Sequence, residues 1–157
     1  MPGLWKNVTG DTPTFGKNNF LRSTQPGTYT TNSRTIAKDS FPTETWGEST
    51  DQKILQPGEV LAKITSGPDA GKYGVFSMDT TGVTDGRSNP DNIVGINKSF
   101  YPYQLMDRDV EVANVYYGIV YQPWCTVRDA AGKRIPMPNS IADAFGARRD
   151  LNITFQS

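Results

Sequence analysis

From residue 55 onward, apolar and polar positions follow one another in short runs that predict strands. Gln56-Pro57-Gly58-Glu59 reads as a turn, with proline fixing φ and glycine following it. Residues 60–65 predict a strand, residues 66–71 a turn-forming loop, and residues 72–78 the returning strand of a β-hairpin. Thr81-Gly82 and Asp85-Gly86 punctuate the next loop, and residues 93–96 form a short, wholly apolar-looking strand. The longest strand-like run is 109–121. It places Val110 and Val112 on one face and Glu111, Ala113 and Val115 on the other. Gly118 within it marks a bend or bulge. Residues 123–127 continue in extended form, and residues 129–133 form another turn. Near the end Asn139 offers an N-cap, and Ile141, Ala144, Phe145 and Arg148 fall on one face at helical spacing. Arg148 and Arg149 complement the dipole of that helix, and Gly146 limits it to two or three turns. Leu151, Ile153 and Phe155 then alternate strictly, which predicts a final strand. The expected fold is mainly β, a compact barrel- or sandwich-like domain over 52–157 with one short C-terminal helix.

Residues 1–51 show no such periodicity. Thr, Ser, Asn, Gly and Pro dominate, so the segment cannot build a core alone and is expected to be a long extended N-terminal arm. Single bulky residues nevertheless recur along it: Leu4, Trp5, Phe15, Phe20, Tyr29, Ile36, Phe41 and Trp46. A flexible linker carries no such anchors. Leu4, Trp5, Phe15, Phe20, Tyr29, Phe41 and Trp46 are therefore the candidate partner-binding residues. The alternative is a segment that wraps its own domain.

Composition narrows the function. Apolar residues make up 36%, low for a globular domain, while 15 Gly and 11 Pro suit a loop-rich β-protein. Sixteen basic residues balance sixteen acidic ones, which argues against a nucleic-acid partner, since neutralising phosphates takes a basic excess. No run approaches the ~18 apolar residues of a membrane span. Met1-Pro2-Gly3-Leu4-Trp5-Lys6 lacks the order of a secretory signal, and synthesis is expected in a cytosol. Asn7, Asn97 and Asn152 stand in Asn-X-Ser/Thr triplets that are read as chance occurrences. The chain has no His, which removes His-based triads and metal clusters and the side chain best suited to proton transfer at neutral pH. Its single Cys125 is read as a small core or interface residue. Asp107, Asp109 and Glu111 fall on one face of a strand. They offer a Ca²⁺ site or an acid pair, set against the simpler reading of a solvated face beside Arg108. Phe100, Tyr101 and Tyr103 with Trp124 are candidate oligomer-interface residues, and a sugar-stacking platform is the alternative use of that aromatic stretch.

The order of these elements resembles the lambda-type tailed-phage head decoration (capsid cement) proteins. Residues 55–65 resemble the family's opening strand and residues 71–77 its returning strand. Asp85-Gly86 stands at its turn, and residues 93–96 and 110–120 at its next strands. A helix and a short strand follow, as in 141–155. The resemblance spans about 52–155, with a longer first hairpin and a much longer arm than is usual there. It implies a trimer at three-fold or quasi-three-fold axes on the outer capsid surface of the virion, where it stabilises the expanded head. The implied partners are the major capsid protein and two further copies, with no cofactor and no catalysis. Rival readings are another virion part (neck, tail or head fibre), or a carbohydrate-binding module or lytic enzyme built on Asp107, Asp109 and Tyr101.

Overall fold

The computed structural model describes residues 19–157 except Phe41, Gly47 and Glu48, and only the backbone of Thr45, Trp46, Ser49, Thr50 and Asp51. The fold is mainly β, with a single α-helix and three short 3-10 turns among the described residues. Its strands are β1 (Thr30–Ile36), β2 (Glu44–Trp46), β3 (Ser49–Gln52), β4 (Val60–Lys63), β5 (Tyr73–Val75), β6 (Ile93–Asn97) and β7 (Val110–Tyr121). They are followed by β8 (Thr126–Arg128), β9 (Arg134–Pro136), helix α1 (Asn139–Gly146) and β10 (Asn152–Gln156).

The predicted hairpin is β4–β5, antiparallel with Leu61 opposite Val75. The turn leading into it needs its glycine. Gly58 sits at φ 94°, and a Cβ there would lie 2.6 Å from the Trp124 carbonyl oxygen. Strands β1-β5-β4-β6-β7 run in that order, and β1 pairs back onto β7 to close a five-stranded barrel. Closure removes the free edges of these five strands. The sixth strand of the sheet, β10, lies parallel to β7 beyond the barrel, from Asn152 opposite Tyr117 to Gln156 opposite Tyr121. Strands β2–β3 and β8–β9 form separate two-stranded sheets.

Alternation along β4 feeds two cores. Val60 and Ala62 join a large cluster with Phe20, Leu21, Phe76, Ile96, Val115, Val120, Val127, Ile141 and Phe145. Leu61 between them joins a smaller one with Ile36, Leu55, Val75, Met106, Val110 and Val112. Both faces of β4 are thus buried, which explains its unbroken apolar run. The two faces expected for β7 are also visible, with Val110 and Val112 buried and Glu111 exposed. Val115, expected on the Glu111 face, is fully buried and serves the larger cluster. The β1–β7 register skips Tyr116, because Thr30 faces Tyr117 while Thr31 faces Val115. That bulge lies two residues from Gly118, whose φ of 153° and close approach to Tyr29 fit the expected irregularity. Helix α1 begins at Asn139, but Pro138 is its N-cap, and the Asn139 side chain accepts instead from Gln122 Nε2 at 2.8 Å.

The expected division at residue 52 needs correction for the described part of the arm. β1 lies inside 1–51, yet it pairs with β7 along its whole length, from Thr30 to Ile36, and closes the barrel. Phe20, Leu21, Ile36 and Ala37 are buried. Only one residue of β1, Ile36, is fully buried, so a polar strand serves as a barrel stave. Residues 1–18 lie outside the described residues.

Candidate functional site

The three carboxylates of the 107–111 face do not converge. Asp107 pairs with Arg108 Nε at 2.8 Å. Asp109 takes Lys72 Nζ at 2.7 Å and the Lys38 backbone N–H at 2.9 Å. Glu111 accepts from the Ser33 and Thr35 hydroxyls, the latter at 2.6 Å. Each carboxyl is held below its usual range: Asp107 by Arg108, Asp109 by Lys72 and then the Lys38 amide, Glu111 by the Ser33 and Thr35 hydroxyls. Among the described residues no group of three or more His, Cys, Asp or Glu is placed to hold a metal. The arrangement is a solvated face tied to its neighbours. Since these folded-state values are depressed, their contribution to stability is present above the ordinary carboxylate range and is lost as pH falls through the folded values. Asp107→Asn/Asp109→Asn/Glu111→Gln is therefore expected to flatten the acid limb of the stability profile. Wild type should show no rise in melting temperature with added Ca²⁺. A Ca²⁺-dependent rise that vanishes in the triple variant would establish a metal site instead.

The aromatic candidates are dispersed. Tyr101 exchanges two backbone hydrogen bonds with Leu55 at 3.1 and 2.9 Å, and its hydroxyl donates to the Glu111 carbonyl at 2.6 Å. It packs against the smaller core, whereas Trp124 packs against the larger. Phe100 and Tyr103 are half-buried. Of the arm anchors, Phe20 is 1% exposed and belongs to the larger core, and Tyr29 packs on that core with Lys98 Nζ 5.7 Å from its ring centroid. Leu4, Trp5 and Phe15 lie outside the described residues, as do Phe41 and the side chain of Trp46. Cys125 is fully buried, and burial pushes its thiol far up, which disfavours the reactive thiolate.

A second charge cluster escaped the sequence reading. Glu44 of β2, Glu59 in the turn before β4, Arg128 of β8 and Arg134 of β9 form an ion-pair quartet. Arg128 Nη2 lies 3.2 Å from Glu59 and 3.4 Å from Glu44; Arg134 lies 3.1 Å from Glu59 through Nη1 and 2.6 Å from Glu44 through Nη2. Glu59 also accepts from the Gln56 amide at 2.9 Å, and Arg128 donates to the Gly132 carbonyl. Burial works against the Arg134 charge, but Glu59 and Glu44 together hold its guanidinium even more firmly protonated than usual. With two charges of each sign, the quartet is neutral, and Arg134 Nη1, buried without a hydrogen-bond partner, lies at ion-pair distance, 3.1 Å, from Glu59. The mutual pairing gives the four side chains a structural role.

Two clefts flank the β8–β9 turn. One, of about 340 Å³, is lined in part by Asp39, Ser77, Asp79 and Arg87. Its charges are already engaged: Asp39 by Lys53 at 3.0 Å, Arg87 by Asp85 at 2.9 Å, and Asp79 by the Thr81 and Gly82 amides. The other, of about 440 Å³, opens onto Glu44 and Arg134 of the quartet.

What the surface does offer is an open strand. Among the described residues β10 pairs only with β7, and its outer edge has no partner strand. Beside it on β7, Tyr117 is 45% and Ile119 36% exposed, unusual for side chains of that size. Comparison with known protein families, characterised proteins and solved structures found no match to this chain.

Proposed function

We propose that this chain is a non-enzymatic structural protein that decorates the outer surface of a tailed-phage capsid, as a trimer at three-fold or quasi-three-fold axes. One observation supports the reading above others. The hairpin β4–β5, then β6, the long β7, and, after β8 and β9, α1 and β10 come in the order on which the family resemblance rests. The internal pairing of the best-placed ionisable groups adds to it, because a site for chemistry keeps some of its groups free for substrate. In this reading the N-terminal residues, with Leu4, Trp5 and Phe15, supply further contacts to the capsid protein. Phe20 and Tyr29 are left out of that set because their own domain uses them.

The test mixes purified protein with undecorated, expanded heads and pellets the heads. Saturable co-sedimentation at three copies per three-fold position is expected. Trp5→Ala removes a large anchor of the kind that costs about 2 kcal/mol at an interface, so binding per contact should weaken about thirtyfold with the melting temperature unchanged. Wild-type protein that stays in the supernatant at every concentration would end the decoration reading.

A further inference from the structure

We propose that the outer edge of β10 is a strand-acceptor site, and that its occupant is an extended, uncharged segment of a partner protein. On the decoration reading, on which this step rests, that partner is the capsid protein.

Barrel closure gives β1, β4, β5 and β6 two neighbours each and β7 pairs with β1, β6 and β10, so among the described residues β10 is the one strand of the six-stranded sheet with a single neighbour. In a parallel pair, alternate backbone N–H and C=O groups of a strand point away from its partner. Such an edge is a template for a further strand, and natural proteins usually blunt it with Lys, Pro, a bulge or an inward charge. None of these devices is present here. Leu151-Asn152-Ile153-Thr154-Phe155-Gln156-Ser157 contains no charge and no proline. Its five pairs with β7 run without a register shift.

The adjoining face agrees. Asn152 is the Cα partner of Tyr117 and Thr154 that of Ile119, and all four side chains are exposed. Residues 115–122 of β7 and its extension carry no charge either. From beneath, the strand is fixed by α1, through an edge-to-face contact of Phe145 with Phe155 at 5.1 Å between ring centroids. A fixed, uncharged edge beside a Tyr–Ile pair fits a segment whose backbone completes the ladder while apolar side chains cover Tyr117 and Ile119. Residues 151–157 and 115–122 themselves supply no counter-charge to a charged segment, the nearest charged residues being Arg22, whose amide bonds the Ile119 carbonyl, and Arg149 and Asp150 before the strand. A second copy could offer its own β10, but that contact is two-fold and closes a dimer, the wrong symmetry for three-fold positions.

The experiment reads the β10 amides directly, by hydrogen exchange of the full chain, free and on heads. In the free protein, alternate amides of Asn152–Gln156 are expected to exchange quickly, and on heads to slow at least tenfold. Thr154→Lys and Ile119→Lys, both on the outer face, should weaken co-sedimentation at least tenfold with unchanged melting. The proposal is overturned if wild type binds heads with the β10 amides still exchanging freely, or if both lysine variants bind as wild type does. Protection of the whole strand in free protein would also overturn it, because the edge would then be filled by this chain itself. A dimer in sedimentation velocity would identify a second copy as the occupant. Failure of the decoration reading looks different, since wild type then does not pellet with heads at all and the capsid partner falls with it.

Discussion

A chain beginning at Lys38 is expected not to fold, although it keeps every element that the hydrophobic pattern announces. The truncation removes β1, and with it the β1–β7 ladder that closes the barrel. It also removes Phe20, Leu21 and Ile36, each 5% exposed or less, from the two cores. At about 2 kcal/mol for each buried side chain, the loss is about 6 kcal/mol before the ladder is counted. A domain's whole stability is only about 5–15 kcal/mol. Two strands would also be left with open edges, an invitation to aggregate. The expected result for 38–157 is a collapsed amide spectrum and no cooperative melting, against a dispersed spectrum and one transition for the full chain. A cooperative transition in the truncated protein would show that the barrel closes without β1. The same outcome is expected for a cut at Asp51, so the folding unit does not begin where the composition changes.

That mismatch has a physical origin. Strands β4, β6 and β7 bury alternate or consecutive apolar side chains, and the pattern of 60–65, 93–96 and 109–121 is legible for that reason. β1 is Thr-Thr-Asn-Ser-Arg-Thr-Ile, and only its last residue is fully buried. It belongs to the fold through backbone pairing, which leaves little hydrophobic trace. Its three threonines were the available signal, since β-branched residues favour a pleated, half-buried surface. The quartet was illegible for another reason. Glu44, Glu59, Arg128 and Arg134 lie on four separated segments, and nothing local distinguishes a charge bound for the interior from one bound for solvent. The 107–111 carboxylates were easy to see and are only a solvated face. The open β10 edge needed the topology, because strict alternation predicts a strand without saying how many neighbours it has.

Arg128→Met is expected to lower stability by about 3–5 kcal/mol, the range for removing one partner of a buried ion pair. Arg128 is 0% and Glu59 1% exposed, so the remaining charges cannot recover their solvation by a small shift of side chains. After the substitution, one guanidinium (Arg134) is left to two carboxylates, and the site holds a net negative charge. The Gly132 carbonyl also loses its donor, Arg128 Nη1 at 3.3 Å. Adding Glu59→Gln to Arg128→Met leaves Glu44 with Arg134, a pair at 2.6 Å with some access to solvent. The double variant should therefore be clearly more stable than the sum of its two single changes predicts, with a coupling of about 1–3 kcal/mol. Urea unfolding followed by circular dichroism measures all four proteins, the midpoint reporting stability while the slope reports that the folded state stays compact. A cost below about 1 kcal/mol for Arg128→Met, or strictly additive single changes, would mean that water reaches the quartet and the four charges do not act as one unit. If the cost is as expected, the four charges act as one unit that fastens β2, β8 and β9 to the turn before β4.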